Sequence, residues 1–140
     1  MIILDTNILS EPLKSGASPA VLAWLDAQSI ETLYLTTITL AELFVGIEIL
    51  PTGKRQAALK SRLNAVLDNF SPAQILPFDI EAARIYPSLV NQARRSGTKI
   101  SFVDGQIAAI ARATGFTVAT RDTQPFVAAG VKVINPWNLA

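Results

Sequence analysis

Short apolar runs rich in Ile, Leu and Val alternate with longer stretches of helical periodicity along the chain. The runs are too short for helices and are bounded by turn-forming residues, which is typical of buried strands. We predict strands at 2–4, 33–36, 117–120 and 131–134 and a short extended segment at 75–78, with helices at 20–27, 39–50, 54–70, 80–96 and 101–114. This alternation favours an α/β fold, a three-layer α/β/α sandwich around a mostly parallel sheet.

The chain has 140 residues, and half of them are apolar, with no evident repeat, linker or low-complexity tract. This length and composition suit a single domain over 1–140 with its own core. The first residues lack the basic and apolar segments of a secretion signal, and no uncharged apolar run reaches about 18 residues. We therefore expect a soluble, cytoplasmic protein with no membrane partner.

The sequence contains neither cysteine nor histidine. It therefore lacks the residues for disulfides, thiolate nucleophiles, zinc–cysteine sites and the Ser-His-Asp or Cys-His mechanisms. A resident metal would be bound by oxygen atoms, which favours Mg²⁺ or Mn²⁺. Metal-activated water is then the simplest hydrolytic chemistry open to this chain.

Four acidic residues are predicted to lie at one edge of the sheet. Asp5 and Asp122 each follow a predicted strand, whereas Glu42 and Asp104 fall in the first turns of predicted helices. In a right-handed βαβ layer, the carboxyl ends of strands and the starts of the following helices share one side. We therefore expect the four carboxylates to converge there.

Each acid also has a purely structural explanation. The Thr39–Glu42 and Ser101–Asp104 pairs match the capping box, and the other two acids match turn or N-cap positions. As a set they are harder to explain in this way, because Asp5, Glu42 and Asp104 interrupt apolar segments. An unpaired carboxylate in such surroundings is costly, and a bound cation removes that cost.

The segments that carry these acids resemble the successive motifs of PIN-domain proteins. They are Ile2-Ile3-Leu4-Asp5-Thr6-Asn7, Ala41-Glu42, Asp104-Gly105-Gln106-Ile107-Ala108-Ala109 and Val118-Ala119-Thr120-Arg121-Asp122-Thr123, followed by Asn135-Pro136-Trp137 near the end. The resemblance covers essentially the whole chain and is closest to the FitB-like branch of VapC toxins. It implies a Mg²⁺- or Mn²⁺-dependent endoribonuclease that is the toxin of a bacterial type II toxin–antitoxin system.

The same resemblance implies that Asp5, Glu42, Asp104 and Asp122 are catalytic metal ligands. The fourth position departs from the family pattern, since many relatives have Asn where Asp122 stands and Asp three residues later, where this chain has Pro125. The fourth acid has thus moved along the chain. Three polar residues match positions beside the acids and are predicted to orient carboxylates or water: Thr6, Asn7 and Thr120.

A basic cluster precedes the Asp104 helix. Arg94, Arg95 and Lys99 are predicted to bind the phosphate backbone of an RNA substrate. A solvated helix face, with cations placed against the helix dipole, is the alternative explanation.

The resemblance also implies partners. They are a second copy of the chain, a small cognate antitoxin that covers the acidic site, and operator DNA reached only indirectly through the antitoxin. The predicted helix at 39–50 is apolar nearly all round, so it is either buried in the core or shared with another chain.

Two other functions remain open from the sequence. The first is a catalytically silent PIN-fold partner of a DNA-binding antitoxin, acting in a repressor complex, which predicts a tight partner and no metal-dependent cleavage. The second is a receiver-like domain with a phospho-acceptor pocket. Such a domain needs a pair of acids on its first loop and a Lys near the last strands, where this chain has only Asp5 and Arg121.

Overall fold

A single five-stranded sheet forms the centre of the protein, in a computed structural model that describes residues 1–139. The strands are β1 (Ile2–Leu4), β2 (Leu33–Thr36), β3 (Ile75–Leu76), β4 (Thr117–Ala119) and β5 (Val133–Ile134). Their order across the sheet is β3-β2-β1-β4-β5, and each neighbouring pair is parallel. The carboxyl ends of β1 and β4 therefore lie side by side, with Leu4 opposite Ala119.

Seven α-helices connect or follow the strands in the described part of the chain. They are α1 (Thr6–Ser10), α2 (Pro19–Asp26), α3 (Thr37–Glu48), α4 (Lys54–Leu67), α5 (Ile80–Arg95), α6 (Phe102–Thr114) and α7 (Gln124–Ala128). Short 3₁₀ turns lie at Glu11–Leu13, Ile30–Thr32 and Pro72–Gln74. None of the helices within residues 1–139 combines the length and the apolar character needed to cross a bilayer.

The sheet separates two apolar clusters, because successive strand side chains point to opposite faces. On one face, Ile3 and Val118 pack against α5, α6 and α7. On the other face, Leu4 and Ala119 pack against α1, α3 and α4. These two helical layers around a parallel sheet confirm the predicted three-layer α/β/α sandwich.

Helix α3 begins earlier than its sequence pattern predicted. The hydroxyl of Thr36, at the end of β2, accepts a 3.0 Å hydrogen bond from the amide of Thr39 and so caps the helix. Glu42 consequently lies in the second turn, so its predicted place in the first turn was wrong and Thr39 is not the helix cap. The strand passes directly into the helix, because the extended backbone of Thr36 suits an N-cap.

Two helices of five residues each were not predicted. Helix α1 starts immediately after β1, where the sequence indicated only a turn, and α7 follows the turn after β4. Both are too short for a recognisable 3.6-residue pattern. Helix α1 matters for the site, because it places Thr6 and Asn7 directly beside Asp5.

Candidate functional site

Asp5 lies at the carboxyl end of β1 and is only 5% exposed. Its Oδ1 accepts a 2.8 Å hydrogen bond from the amide of Thr6, which makes it the N-cap of α1. Its Oδ2 accepts a 2.8 Å hydrogen bond from the hydroxyl of Thr120, just beyond β4. Both oxygens are thus fixed by the ends of two adjacent strands.

Burial raises the pKa of Asp5 from 3.8 to about 6. The hydrogen bonds from Thr120 and Thr6 oppose this rise, whereas the negative charges of Asp104 and Glu42 add to it. A buried carboxyl with two acidic neighbours favours any positive charge that enters the site.

Glu42 is exposed on α3 and turns towards α1. Its Oε1 accepts a 2.6 Å hydrogen bond from the hydroxyl of Thr6, which also lies 3.5 Å from the Thr39 hydroxyl. Thr6 therefore contacts Asp5 through its backbone and Glu42 through its side chain. This contact agrees with the predicted role of Thr6 in orienting carboxylates, and that role remains a prediction.

Asp104 lies half-buried in the first turn of α6, as its position after Ser101 predicted. Its amide donates a 3.1 Å hydrogen bond to the Ser101 hydroxyl, the helix cap. Burial raises the pKa of Asp104, with added contributions from the charges of Asp122 and Glu42, while the Ser101 hydroxyl lowers it. The mutual influence of these charges places all four predicted acids in one electrostatic neighbourhood.

The hydroxyl of Thr120 connects the remaining polar residues of the site. It accepts hydrogen bonds from the amide of Asp122 at 3.1 Å and from Nδ2 of Asn7 at 3.3 Å. Asn7 in turn accepts a 3.2 Å hydrogen bond from the amide of Arg121. One buried hydroxyl therefore links the chain segments that carry Asp5 and Asp122.

The donor atoms of this site suit a hard divalent cation. Four carboxylates with no nitrogen or sulfur ligand match the preference of Mg²⁺ and Mn²⁺. Among residues 1–139, no three acidic side chains stand close enough together to hold an ion between them. An ion held by three of these carboxylates would bring their side chains closer together; Glu42 and Asp122 are exposed, whereas both oxygens of Asp5 already accept hydrogen bonds.

The structure does not bring the predicted RNA-binding arginines together with the carboxylates. Arg94 and Arg95 end α5, where the nearby Gln92 accepts a 3.2 Å hydrogen bond from Arg112. Arg112 lies in the last turn of α6, at the opposite end of that helix from Asp104. Lys99 is closer in sequence to the site, in the loop before α6. The RNA-binding role of all three remains a prediction.

A groove of about 620 Å³ adjoins the acidic site and was not predicted. Thr6 and Glu42 form its end at the site, and its walls carry Lys14, Arg55 and Arg62. Its floor is apolar, with contributions from Leu13, Leu43, Ile47, Leu50 and Leu59. No local pattern marks it, because its walls come from α1, α3, α4 and the segment after α1.

Helix α3 presents two apolar sides. Leu40, Leu43 and Ile47 face the core, whereas Phe44, Val45 and Ile49, which we call the α3 patch, are 50%, 59% and 76% exposed. Val45 also borders a shallow depression that is shared with Val103 of α6. The helix is therefore not wholly buried in the core, and its sharing with another chain remains a prediction.

One aromatic residue beside the site is exposed. The side chain of Phe102 is 64% exposed, and its ring centroid lies 5.5 Å from that of Tyr86. It lies outside the core because it occupies the first position of α6, on the solvent side of the Ser101 cap.

The fold and the site define an α/β domain that gathers carboxylates at the carboxyl edge of a parallel sheet. The PIN domain family matches residues 2–132, and the chain belongs to that family. This assignment confirms the predicted resemblance and excludes the receiver-like alternative.

Similar proteins place the chain within one branch of that family. It is 52% identical over 140 residues to the VapC ribonuclease Y4jK of Sinorhizobium fredii, with both chains covered completely. It is 45% identical over 138 residues to the toxin FitB of Neisseria gonorrhoeae, with 99% of each chain covered. A solved structure of FitAB bound to an IR36 DNA fragment superposes with a TM-score of 0.95 at 45% identity, covering 100% of this chain and 98% of that one.

Proposed function

We propose that this protein is a Mg²⁺- or Mn²⁺-dependent endoribonuclease and the toxin of a type II toxin–antitoxin system. The observation that carries the proposal is the position of Asp5. It is buried at the end of β1, and the negative charges of Asp104 and Glu42 contribute to its raised pKa. Full-length similarity to a VapC ribonuclease supports the activity, and similarity to the toxin FitB supports the toxin role.

Asp5, Glu42, Asp104 and Asp122 are the residues that would hold the ion. A bound Mg²⁺ or Mn²⁺ lowers the pKa of water and offsets negative charge on a phosphodiester. Hydrogen bonds from Thr6 and Thr120 hold the Asp5 carboxylate, so that it would not need to reorient when the ion binds. The Thr6 hydroxyl steadies Glu42, and the Thr120 hydroxyl fixes the backbone of Asp122.

Cleavage of RNA by the purified protein tests the activity. We expect cleavage with Mg²⁺ or Mn²⁺, and its loss with EDTA or in the Asp5→Asn and Asp104→Asn variants. Asp68→Asn is the matched control, because Asp68 is exposed at the end of α4 and takes no part in the site. Cleavage that survives both EDTA and Asp5→Asn would overturn the proposal.

Calorimetric titration with Mn²⁺ tests the ion site without reference to cleavage. The wild-type protein and Asp68→Asn are expected to bind Mn²⁺, and Asp5→Asn to bind it at least tenfold more weakly. Binding without cleavage would favour the second function, a catalytically silent PIN-fold partner of a DNA-binding antitoxin.

The proposed partner is a small antitoxin whose tail occupies the groove beside Thr6 and Glu42. The apolar floor of the groove suits an amphipathic segment, and its position at the acidic site lets an occupant block RNA. The solved relative is described as FitAB bound to a DNA fragment, which supports contact with operator DNA through the antitoxin. We expect co-purification with the product of a neighbouring short gene, and loss of cleavage in that complex.

The α3 patch suits a second copy of the chain. Its three exposed side chains are apolar, and an exposed apolar patch of this kind is typical of a self-complementary dimer interface. Light scattering is expected to give a dimer for the wild-type protein and a monomer for Val45→Asp. Val127→Asp, at an exposed valine of α7 outside the patch, serves as the matched control.

A further inference from the structure

Arg121 stands between two residues of the candidate site, Thr120 and Asp122. Its side chain is exposed, and its Cζ lies 5.1 Å from the centroid of the Trp137 ring. At this distance the guanidinium and the indole attract each other through a cation–π contact. The cation is therefore held near the acids by an aromatic surface rather than by an ion pair.

Hydrogen bonds fix the backbone of this segment on both sides. The amide of Arg121 donates to Oδ1 of Asn7 at 3.2 Å, and its carbonyl accepts from Nδ2 of Asn135 at 3.4 Å. Asn135 also accepts a 3.0 Å hydrogen bond from the amide of Trp137. The arginine and its aromatic support are thus tied to the same asparagine, and the arginine is tied directly to the site through Asn7.

The hydrogen-bonding edge of the guanidinium is open. Within residues 1–139, Arg121 forms no ion pair, and its side chain donates no hydrogen bond to the protein. The positive charge of Arg121 helps to lower the pKa of Glu11. The Glu11 carboxylate, however, already accepts a 2.9 Å hydrogen bond from the amide of Ser18 and pairs with Lys14 at 3.1 Å. The Arg121 guanidinium therefore contacts Trp137 with one face and can donate two parallel N–H hydrogen bonds to a phosphate.

We propose that Arg121 binds a backbone phosphate of the RNA substrate, adjacent to the phosphodiester at the carboxylates. The assignment rests on the proposed ribonuclease function and extends it, by naming a substrate-binding group at the site itself. An acidic pocket repels a polyanion until a cation enters, so a fixed arginine at its rim supplies the attraction that the acids lack. Arg94 and Arg95, by contrast, lie beside the far end of α6.

The test measures binding of a fluorescent single-stranded RNA oligonucleotide over a range of salt concentrations. Ca²⁺ replaces Mg²⁺, because it is a hard cation with the same oxygen ligands, and the RNA is checked by gel for integrity. Arg121→Gln is expected to weaken binding about tenfold. It should also reduce the slope of log K against log[salt] by about 0.7, the value for one phosphate contact in a single strand.

Two further variants sharpen the result. Arg121→Lys keeps the charge but loses the planar fork, so it should keep the salt slope and bind with intermediate affinity. Lys132→Gln removes one positive charge at the amino end of β5, on the opposite edge of the sheet from the carboxylates, and is expected to change neither quantity. In cleavage assays with Mg²⁺, Arg121→Gln should raise KM more than it lowers kcat.

The outcomes separate this proposal from the ribonuclease proposal. Wild-type protein that binds RNA without cleaving it contradicts the activity, while the salt slope of Arg121→Gln still decides the role of the arginine. An unchanged slope and affinity in Arg121→Gln, or an equal effect in Lys132→Gln, would overturn the assignment alone. Wild-type protein that binds no RNA overturns both.

Discussion

The hydroxyl of Thr120 donates a 2.8 Å hydrogen bond to Oδ2 of Asp5, although the two residues are 115 positions apart in the sequence. Thr120 is fully buried, and the same oxygen accepts from Asn7 and from the amide of Asp122. The pairing of β1 with β4 brings them together. The register of the sheet therefore sets the charge properties of the site.

Replacing Thr120 by Val removes this hydrogen bond with little change in shape. We expect the pKa of Asp5 to rise above its present value of about 6, because the Thr120 hydroxyl lowers it. The free energy of unfolding at pH 7 should fall by about 2 kcal/mol, since buried polar partners lose their bond. Carbon-13 NMR titration of the aspartates and urea denaturation measure the two effects.

Thr114→Val is the control for that substitution. The hydroxyl of Thr114 donates to the carbonyl of Ile110 within its own helix, 2.9 Å away, and the residue is exposed. Its loss should cost little and leave the Asp5 titration unchanged. Equal losses of stability in the two variants would contradict the special role of Thr120.

Burial of Asp5 predicts a particular dependence of stability on pH in the metal-free protein. Its pKa is raised from 3.8 to about 6 on folding, so the folded state holds the proton more tightly than the unfolded state does. Protonated Asp5 therefore contributes about 3 kcal/mol to the free energy of unfolding below pH 3.8, and this contribution is lost as pH rises through about 6. The raised pKa of Asp104 acts in the same direction.

Asp5→Asn is expected to remove most of the loss of stability that the wild-type protein shows as pH rises. In EDTA at pH 7 the variant should be more stable than the wild-type protein, and the difference should shrink towards pH 4. Asp68→Asn should follow the wild-type curve. Melting temperatures measured from pH 4 to pH 8 provide the test. If the melting temperature changes equally between pH 4 and pH 7 in the wild-type protein and in Asp5→Asn, burial of Asp5 does not cause the pH dependence.

Periodicity in the sequence predicted most of the architecture. Each predicted strand and helix exists, because runs such as Ile2–Leu4 must be buried on both faces of a parallel sheet. Asp5 was placed beside a second acid-bearing segment for the same reason, since strand ends in such a sheet share one edge. The local pattern was sufficient wherever burial alone decided the structure.

Tertiary contacts decided what the sequence did not predict. Helix α1 has five residues and is capped by Asp5, so no periodic signal preceded it. Arg94 and Arg95 were expected near Asp104 because they precede it in the chain, but the hydrogen bond from Arg112 to Gln92 shows that the end of α5 lies beside the far end of α6. The direction in which two packed helices run is absent from either helix's own pattern.

Glu11 predicts the opposite pH behaviour to Asp5. It is 5% exposed, and the amide of Ser18 and the ammonium of Lys14 lower its pKa below 4.5. Its contribution to stability is therefore present above pH 4.5 and is lost as pH falls through the lowered value. Glu11→Gln should cost about 2 kcal/mol at pH 7, because a bond to a charged acceptor is weakened.

Urea denaturation at pH 7 and at pH 3 tests this assignment, and Glu81→Gln, exposed at the start of α5, is the control. The cost of Glu11→Gln should shrink at the lower pH, whereas Glu81→Gln should cost little at either. An equal cost at both values would mean that the ionised form of Glu11 contributes nothing.

Two helical glycines should respond to alanine in opposite directions. A Cβ at Gly105 would lie 2.8 Å from Cε2 of Tyr86, whose ring packs between Phe78 and Phe102. The clash should exceed the gain in helix propensity, so we expect Gly105→Ala to destabilise the protein by about 1–2 kcal/mol.

Gly46 provides the matched case, because a Cβ there meets no atom within 4 Å and the residue is exposed in α3. Gly46→Ala should stabilise the protein by up to about 1 kcal/mol. In a Tyr86→Leu background, Gly105→Ala should destabilise the protein less than it does in the wild-type protein, because the ring atom that a Cβ would meet is absent. Urea denaturation of Gly105→Ala, Tyr86→Leu and their double variant measures the coupling between residues 86 and 105, and Gly46→Ala is measured beside them. If Gly105→Ala stabilises the protein as much as Gly46→Ala does, the close contact with Tyr86 does not limit the packing of α6 against α5.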